Sequence, residues 1–234
     1  MKTTAIVLAA GQGRRMKSAT HKQYLLIKGK PVLYYSLKVF EESFIDNIVL
    51  VTGKGEQEFC QKEIIEKYNL KKITAITEGG LERYHSVAYG LRTIKWECDY
   101  VFIHDGARPF VDNEMLMRAL NEVQASGACV TGMPVKDTVK IADESQYIAS
   151  TPPRSLVWQI QTPQVFEKKL ITDAYEKLLS NENKLIADGI GITDDAMTVE
   201  YFFNKKIKLV EGSYRNIKIT TPEDLEIARI FIDA

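Results

Sequence analysis

The residues with the clearest chemical potential follow the first apolar run of the chain, in the segment LAAGQGRRM at 8–16. Small residues such as Gly11 and Gly13 let backbone N–H groups approach phosphate oxygens closely, and the two arginines that follow supply planar donors. Lys22 comes soon after and could reach the same phosphates as a point charge. The segment predicts a phosphate-binding loop, with a plain tight turn and a solvated lysine as the alternative interpretations.

The spacing of this loop argues against two common nucleotide-binding motifs. A dinucleotide site requires G-x-G-x-x-G, and Met16 stands where the third glycine would be. A P-loop requires G-x-x-x-x-G-K-[ST], which the segment also lacks. The predicted phosphate-binding loop therefore belongs to neither of these classes, and a nicotinamide-dependent dehydrogenase does not fit.

Two further segments could contribute to the same site. In EGGLERYHS, at 78–86, a glycine pair exposes backbone that could read the edge of a base, and Ser86 offers a hydroxyl; the capped start of a helix is the alternative. In HDGARP, at 104–109, the carboxylate of Asp105 could meet a metal-bound phosphate or a substrate hydroxyl. Arg108 could bind phosphate, or it could simply pair with Asp105.

Alternating strands and helices must position these loops. The apolar pattern predicts buried strands over 5–9, 47–52, 72–77, 100–104 and 128–133. Helical spacing is found between them, over 31–40, 57–68, 83–94 and 114–125. This order predicts a Rossmann-like α/β fold, a mainly parallel sheet with helices on both faces. Ligands bind at the carboxyl ends of such strands, so we expect the three loops to converge on one crevice.

The alternation breaks between Pro134 and Pro163, where polar and apolar residues alternate instead. This stretch predicts a protruding β-arm over 135–161, which would pack on another subunit because it cannot bury itself on its own sheet. Afterwards the pattern predicts helices from Lys168, over 194–201 and from 222, and strands over 208–210 and 216–219. We predict a single domain, 1–234, that carries this arm.

The composition limits the classes of partner. Lysine plus arginine and aspartate plus glutamate both total 31, so no global charge indicates a nucleic acid or an anionic membrane as partner. No apolar stretch approaches the length of a bilayer span, and the apolar start is too short for a signal peptide. We therefore predict a cytoplasmic protein. The three cysteines are far apart and are interpreted as buried thiols in a reducing cytosol: Cys60, Cys98 and Cys129.

Taken together, the segments resemble the 2-C-methyl-D-erythritol 4-phosphate cytidylyltransferases of non-mevalonate isoprenoid biosynthesis. The matching motifs span nearly the whole chain in the family's order: LAAGQGRRM (8–16), KQY (22–24), GGLERYHSV (79–87), HDGARPF (104–110), PVKDTVK (134–140), QTPQVF (161–166), ITDDA (192–196) and NIKITTPEDL (216–225). The resemblance implies a fold of the nucleotide-diphospho-sugar transferase type. It also implies an enzyme that transfers a cytidylyl group from CTP to the methylerythritol phosphate and releases pyrophosphate.

The resemblance also implies roles for individual residues. The catalytic positions are Arg15, Lys22, Arg154 and Lys218. The CTP-binding positions are Ala9, Ala10, Gly11, Gly13, Gly80, Arg83, Ser86 and Asp105. The positions that bind the second substrate are Asp105, Arg108, Thr138, Arg154, Thr162, Thr193 and Lys218. Magnesium, or another divalent cation, would be held mainly by the CTP phosphates, with Asp105 as a candidate protein ligand. The family forms homodimers through the arm, so Thr138 and Arg154 would serve the neighbour's site.

Three positions depart from the family's pattern. His85 stands where an aspartate is usual, Tyr89 replaces a common asparagine and His21 replaces a common proline. There are two rival functions. Ribitol 5-phosphate is an alternative substrate, but PVKDTVK and TPPRSLVWQIQTPQ resemble the arm of the methylerythritol family. A nucleotide-sensing protein without turnover is the alternative from another class, and the presence of all the charged positions above argues against it.

Overall fold

A computed structural model of the chain describes residues 1–11, 13, 16 and 21–233. The strands are β1 (Thr3–Ala9), β2 (Leu26–Ile27), β3 (Lys30–Pro31), β4 (Asn47–Thr52), β5 (Ile73–Glu78), β6 (Tyr100–Asp105), β7 (Ala128–Pro134), β8 (Ile141–Ala142), β9 (Ile148–Ser150), β10 (Trp158–Glu167) and β11 (Lys208–Glu211). The α-helices are α1 (Val32–Glu42), α2 (Gln57–Phe59), α3 (Arg83–Thr93), α4 (Asn113–Ser126), α5 (Lys168–Ser180), α6 (Glu182–Ala187), α7 (Asp195–Phe203) and α8 (Pro222–Asp233).

Within the described residues, seven strands form one sheet in the order β11-β7-β10-β6-β1-β4-β5. The pairs β1–β4, β1–β6, β4–β5 and β7–β11 are parallel, whereas β10 runs antiparallel to both β6 and β7. The predicted fold class, a mainly parallel sheet in an α/β protein, is confirmed. The register brings Leu8 opposite Asp105 and Ala9 opposite Thr52, so the loops after β1, β4 and β6 leave the sheet at the same edge.

The core has one apolar layer on each face of the sheet, and the strands supply both. Because successive side chains of a strand point to opposite faces, Ala5 and Val7 join one layer while Ile6 joins the other. One layer includes α1 and α4, and the other includes α3, α5 and α7. Burying each large aliphatic side chain contributes about 1.5–3 kcal/mol, so the sheet edge that carries the loops rests on a rigid base.

Several elements differ from the sequence prediction. The predicted helix over 57–68 is split, because residues Cys60–Glu66 wind as a π-helix after α2. The predicted strand over 216–219 is wrong: this segment pairs with loops rather than with a sheet, and Ile219 N donates to Ala107 O at 2.8 Å. Strand β10 and helix α6 were not predicted. In β10, Pro163 lies where the register with β7 shifts, and such an irregularity accommodates a residue that has no N–H to donate.

Strands β8 and β9 form a separate two-stranded antiparallel sheet, which we call the arm hairpin. Its turn is held by Asp143, whose Oδ1 accepts hydrogen bonds from the backbone N–H groups of Ser145 and Tyr147. The hairpin is exposed throughout, and it presents apolar side chains to solvent: Ile141, Tyr147 and Ile148 are 53–74% exposed. The use of this segment in dimer formation stays a prediction.

Candidate functional site

A cleft of about 1040 Å³ lies at the carboxyl ends of β1, β4, β5 and β6. Many of the predicted site residues line it: Ala9, Ala10, Gly11, Gly13, Lys22, Gly80, Arg83, Ser86, Asp105 and Lys218. The three loops that the sequence singled out thus border the same space.

The remaining predicted residues lie elsewhere. Arg108 and Thr162 are packed behind Asp105 and do not line the cleft. Thr138 and Arg154 are exposed near the arm hairpin, and Thr193 is exposed just before α7. Arg15 lies outside the described residues.

The first loop and Lys22 constrain each other. Gly13 has a φ of +61°, a left-handed conformation that favours glycine, and a Cβ at this position would come within 3.2 Å of Lys22 Cγ. The stem of Lys22 therefore packs against the backbone of Gly13, and its Nζ donates to Ile219 O at 2.9 Å. The buried side chain of Gln23 donates to Ala9 O at 2.6 Å, which ties the turn after the loop to the end of β1.

The glycine pair after β5 packs closely on its surroundings. A Cβ on Gly79 would collide with Ala10 and Ser86, and a Cβ on Gly80 would collide with His85. The hydroxyl of Ser86 accepts a hydrogen bond from Gly80 N at 3.1 Å, so the first turn of α3 holds the loop in place. Only glycine lets the backbone of this loop run so close to the first loop.

Helix α6 is attached to the same region through Glu182. Its Oε1 accepts a hydrogen bond from Tyr84 OH at 2.7 Å and contacts His85 Nε2 at 3.0 Å. The bond from Tyr84 is the largest influence on this carboxyl, and together with His85 it lowers the pKa of Glu182. His85 Nδ1 accepts from Glu82 N at 3.2 Å, which completes the cap of α3. His85 thus connects the loop at 79–82 to α6.

Asp105 lies at the floor of the cleft among three cations. Its Oδ2 is 2.8 Å from Lys218 Nζ and 3.7 Å from Arg108 Nε, and its Oδ1 is 3.5 Å from Arg83 Nε. Burial alone would raise the pKa of Asp105, but the three cations outweigh burial and hold this pKa well below its ordinary value. The carboxylate is therefore ionised, and its neighbours carry more positive charge than it neutralises.

A buried hydrogen-bond chain holds the backbone of Asp105. His104 Nε2 is 3.1 Å from Arg108 O, which can only accept, so this nitrogen carries the proton. His104 Nδ1 must then accept from the hydroxyl of Thr162 at 3.1 Å, and that hydroxyl accepts from Asp105 N at 3.0 Å. Burial lowers the pKa of His104 to about 4, in agreement with a neutral ring. Thr162 therefore supports Asp105 from behind.

The segment that replaces the predicted strand 216–219 aims Lys218 at the cleft. Asn216 is buried; its side-chain NH₂ donates to Thr162 O at 2.9 Å, and its backbone carbonyl accepts from Arg108 Nη1 at 2.8 Å. Because Ile219 N also donates to Ala107 O, residues on both sides of Lys218, two positions before it and one after it, are anchored to the loop after β6.

Asp195 and Tyr175 were not singled out by the sequence analysis. The side chain of Asp194 caps α7 by accepting from Met197 N at 2.8 Å, so Asp195 occupies the first helical position. There the buried carboxylate of Asp195 accepts both terminal N–H groups of Arg83, at 2.8 and 2.7 Å. Tyr175 OH also donates to Asp195, at 2.5 Å. The acidic pair in the motif ITDDA was the only local sequence signal for Asp195, and it does not identify Arg83 as its partner.

No cluster of three or more His, Cys, Asp or Glu side chains suited to a metal ion occurs among the described residues. Asp105 offers carboxylate oxygens at the floor of the cleft, and Lys218 already contacts one of them. This donor set suits a divalent cation that arrives on a phosphate ligand, since magnesium is commonly bound through one or two carboxylates plus substrate phosphates.

None of the described helices is long and apolar enough to cross a membrane.

The family model for 2-C-methyl-D-erythritol 4-phosphate cytidylyltransferase matches residues 3–234. A curated protein of that name from Lachnoclostridium phytofermentans is 50% identical over 231 residues, which are 99% of this chain and 96% of the relative. Its counterpart from Lachnospira eligens is 51% identical over 98% of both chains.

A solved structure gives the same result. The 4-diphosphocytidyl-2C-methyl-D-erythritol synthase from Anaerococcus prevotii superposes with a TM-score of 0.85 at 36% identity, covering 100% of this chain and 96% of the other. The sequence relationship and the shared fold both extend over the full set of loops around the cleft. The chain therefore belongs to the 2-C-methyl-D-erythritol 4-phosphate cytidylyltransferase family.

Proposed function

We propose that the protein transfers the cytidylyl group of CTP to 2-C-methyl-D-erythritol 4-phosphate, giving 4-diphosphocytidyl-2-C-methyl-D-erythritol and pyrophosphate. The family membership supports this reaction. The observation that carries it is the cationic floor of the cleft, where Lys218 Nζ lies 2.8 Å from Asp105 beside the glycine-rich first loop. Such a cleft suits two anionic phosphate substrates that must approach each other.

The chemistry is an in-line displacement at phosphorus. A phosphate oxygen of the second substrate forms a bond to the α-phosphorus of CTP, and the bond to the β-phosphate oxygen breaks, so pyrophosphate leaves with the electron pair. The attacking oxygen is already anionic at neutral pH, so the reaction needs no general base. Catalysis consists of positioning the two anions and stabilising the charge that builds at the α-phosphate.

Lys22 is the described residue that we assign to this charge stabilisation. Its stem packs on Gly13 of the first loop, and its ammonium group lies beside the segment that carries Lys218. A cation fixed in this way loses little rotamer freedom when the substrate binds, which is the condition for effective electrostatic catalysis. By the family resemblance, Arg15 shares this role.

The loop at 79–82 and the first turn of α3 are proposed to bind cytosine. Gly79 and Gly80 leave open backbone beside Ala10, and Ser86 fixes that backbone through Gly80 N. Backbone N–H and C=O groups held in place can distinguish cytosine from uracil, because the two bases present opposite donors and acceptors at their 4-position. His85, which stands in place of the usual aspartate, contacts Glu182 of α6 and so helps to hold this loop.

The second substrate is proposed to bind between Lys218 and the arm of a neighbouring subunit. Thr138 and Arg154 are exposed, and Arg154 Nη1 donates to Lys136 O at 3.2 Å, so the guanidinium is attached to the arm at its surface, where it could contact a phosphate. The exposed apolar side chains of the arm hairpin support a homodimer, because a free monomer would leave them in water. In such a dimer each arm would complete the site of its partner.

Magnesium is proposed to enter the site with CTP as part of the nucleotide substrate. It would supply positive charge to the triphosphate and assist the departure of pyrophosphate. Asp105 is the carboxylate that would face this ion. A cytoplasmic location likewise stays a proposal.

Pyrophosphate release tests the function. Purified protein with magnesium is supplied with CTP, UTP or ATP, each paired with methylerythritol 4-phosphate or with ribitol 5-phosphate. Release with CTP and methylerythritol 4-phosphate alone is the expected result. Release with ribitol 5-phosphate would move the protein to another polyol branch of the same chemistry. Binding of CTP without release from any pair would favour a nucleotide-sensing protein.

A further inference from the structure

Glu56 joins three segments that surround Lys22. Its Oε1 is 2.5 Å from His21 Nδ1, and its Oε2 accepts from Gly53 N at 3.0 Å and from Tyr24 OH at 2.7 Å. A carboxylate only accepts hydrogen bonds, so His21 Nδ1 donates to it. We call this set of contacts the Glu56 bracket: Glu56, His21, Tyr24 and Gly53. Gly53 itself lines the cleft, as does His21.

The bracket holds the short turn that carries Lys22 at both ends. Residues Lys22–Tyr24 form a single 3₁₀ turn with no side-chain cap, closed by Tyr24 N donating to His21 O at 2.9 Å. A turn this short has little stability of its own. Because His21 precedes it and Tyr24 ends it, one carboxylate fixes the direction in which the backbone of Lys22 enters and leaves.

The backbone of His21 explains why this restraint matters. Its φ and ψ are −60° and 138°, an extended conformation that a proline ring would fix covalently at φ. A histidine is free to leave this conformation, and the contact of its ring with Glu56 opposes that departure. The side chain of His21 is 39% exposed and that of Glu56 is 18% exposed, so the pair is only partly screened by solvent.

Tyr24 supplies the rigid end of the bracket. Burial, and next the neighbouring Cys60, raise the pKa of Tyr24 far above its ordinary value, so it remains a phenol that can donate to Glu56. Its ring packs edge-on against Phe59, with the ring centroids 4.9 Å apart. Glu56 precedes α2 and Phe59 ends it, so both contacts attach the turn that carries Lys22 to this helix.

We propose that Glu56 is a positioning residue for nucleotidyl transfer, which holds His21 and Tyr24 so that the ammonium group of Lys22 faces the α-phosphate of CTP. The inference rests on the proposed function, since it concerns the rate of that reaction. Glu56 touches neither substrate in this role. A change at Glu56 should therefore lower kcat and leave the KM for CTP nearly unchanged.

The first test compares Glu56→Gln with the matched control Glu58→Gln. Glu58 lies in α2, two residues after Glu56, is 80% exposed and pairs only with Lys62 among the described contacts. We expect Glu56→Gln to lower kcat on the order of tenfold, because small displacements of a charged group near the reacting atoms are costly, with KM for CTP within about threefold. Glu58→Gln should turn over like the wild type.

A second background separates positioning from a general structural role. His21→Pro fixes the same φ without Glu56, so Glu56→Gln should lose much less activity in that background than in the wild type. An equal loss in both backgrounds would contradict the proposal, as would a normal kcat for Glu56→Gln with only a lower unfolding temperature. If wild-type protein releases no pyrophosphate, the proposed function fails instead, and the two failures are thus distinguished.

His21→Ala covers the case in which Glu56→Gln does not fold. It removes a partly exposed side chain and leaves the contacts of Glu56 with Gly53 and Tyr24 in place. We expect a several-fold lower kcat, an unfolding temperature close to that of the wild type and recovery of kcat in His21→Pro. A His21→Ala enzyme with wild-type kcat would overturn the assignment.

Discussion

Asp195 accepts both terminal N–H groups of Arg83, at 2.8 and 2.7 Å, although 112 positions separate the two residues. The pair fixes the guanidinium so that its Nε is 3.5 Å from Asp105. The resemblance implies a contact of Arg83 with CTP, and the pair with Asp195 leaves the guanidinium, which lines the cleft, with further N–H donors for such a contact. In the described structure Arg83 also stabilises the ionised form of Asp105 and helps to lower its pKa.

Asp195→Asn should strongly destabilise the protein. It keeps the shape of the side chain but removes the buried carboxylate that accepts both terminal N–H groups of Arg83 and leaves only Asp105, 3.5 Å from Nε; breaking a buried pair typically costs about 3–5 kcal/mol. Asp173→Asn is the matched control, because its contact with Lys169 is a surface pair between successive helix turns worth about 0.5 kcal/mol or less. The effect of each variant is measured as the change in the free energy of unfolding in urea. Equal effects of the two variants would show that the Arg83–Asp195 pair contributes no net stability.

Stability should fall in mild acid because of His104. Burial lowers its pKa from 6.5 to about 4, so between these values the unfolded chain binds a proton that the folded chain does not. The free energy of unfolding therefore decreases as the pH falls from about 6.5 to about 4, by at most about 3 kcal/mol from this residue. The depressed pKa of Asp105 affects stability only at lower pH. Its contribution to the free energy of unfolding is lost only as the pH falls below the ordinary carboxyl value of 3.8.

The variant that checks this assignment is His104→Gln. A glutamine can keep a donor and an acceptor in the buried chain, but it does not titrate. We expect it to flatten the pH dependence of the free energy of unfolding between pH 4.5 and 6.5. An unchanged slope would mean that other groups cause the acid sensitivity.

Glu182→Gln should weaken the binding of CTP more than it slows the chemistry. The change replaces the charged acceptor shared by Tyr84 and His85, so the loop at 79–82 loses part of its support. A loss of about 1 kcal/mol corresponds to about a fivefold higher KM for CTP. Glu176→Gln, on the exposed side of α5, is the control. A fall in kcat with an unchanged KM would argue against a role for Glu182 in base binding.

Charged substitution in the arm hairpin should dissociate the proposed homodimer. Ile148 is 66% exposed in the single chain, and Ile148→Asp would place a charge in the apolar interface that we propose. Ile230→Asp, at an equally exposed position on α8, is the control. Sedimentation should give a dimer for the wild type and the control and a monomer for Ile148→Asp. A monomeric wild type would contradict the proposed homodimer.

The sequence predicted the sheet best where a strand is a continuous apolar run between polar loops. The observed β4, Asn47–Thr52, has the predicted bounds, and β1, β6 and β7 are each longer by one or two residues. The rule that loops follow parallel strands to one edge was then enough to bring the first loop, the loop after β5 and Asp105 together. These are properties of local pattern and topology.

The missed features depend on contacts between distant residues. Nothing near Asp195 in the sequence identifies Arg83, and nothing near Glu56 identifies His21 and Tyr24. The segment 216–219 has the alternation of a strand, but Asn216 and Ile219 bond to side chains and loops that the pattern does not contain. Pro163 lies inside β10, a strand that was not predicted, and the register shift that accommodates it cannot be read from the sequence.

The turnover of Lys22→Ala shows whether a cation held beside Gly13 and the Lys218 segment stabilises the transition state. Pyrophosphate release is measured with saturating CTP and methylerythritol 4-phosphate, with Lys30→Ala, a surface lysine of β3, as the control. We expect a kcat lower by on the order of 10²-fold or more for Lys22→Ala and wild-type turnover for the control. A Lys22→Ala enzyme with near-normal kcat would contradict this expectation.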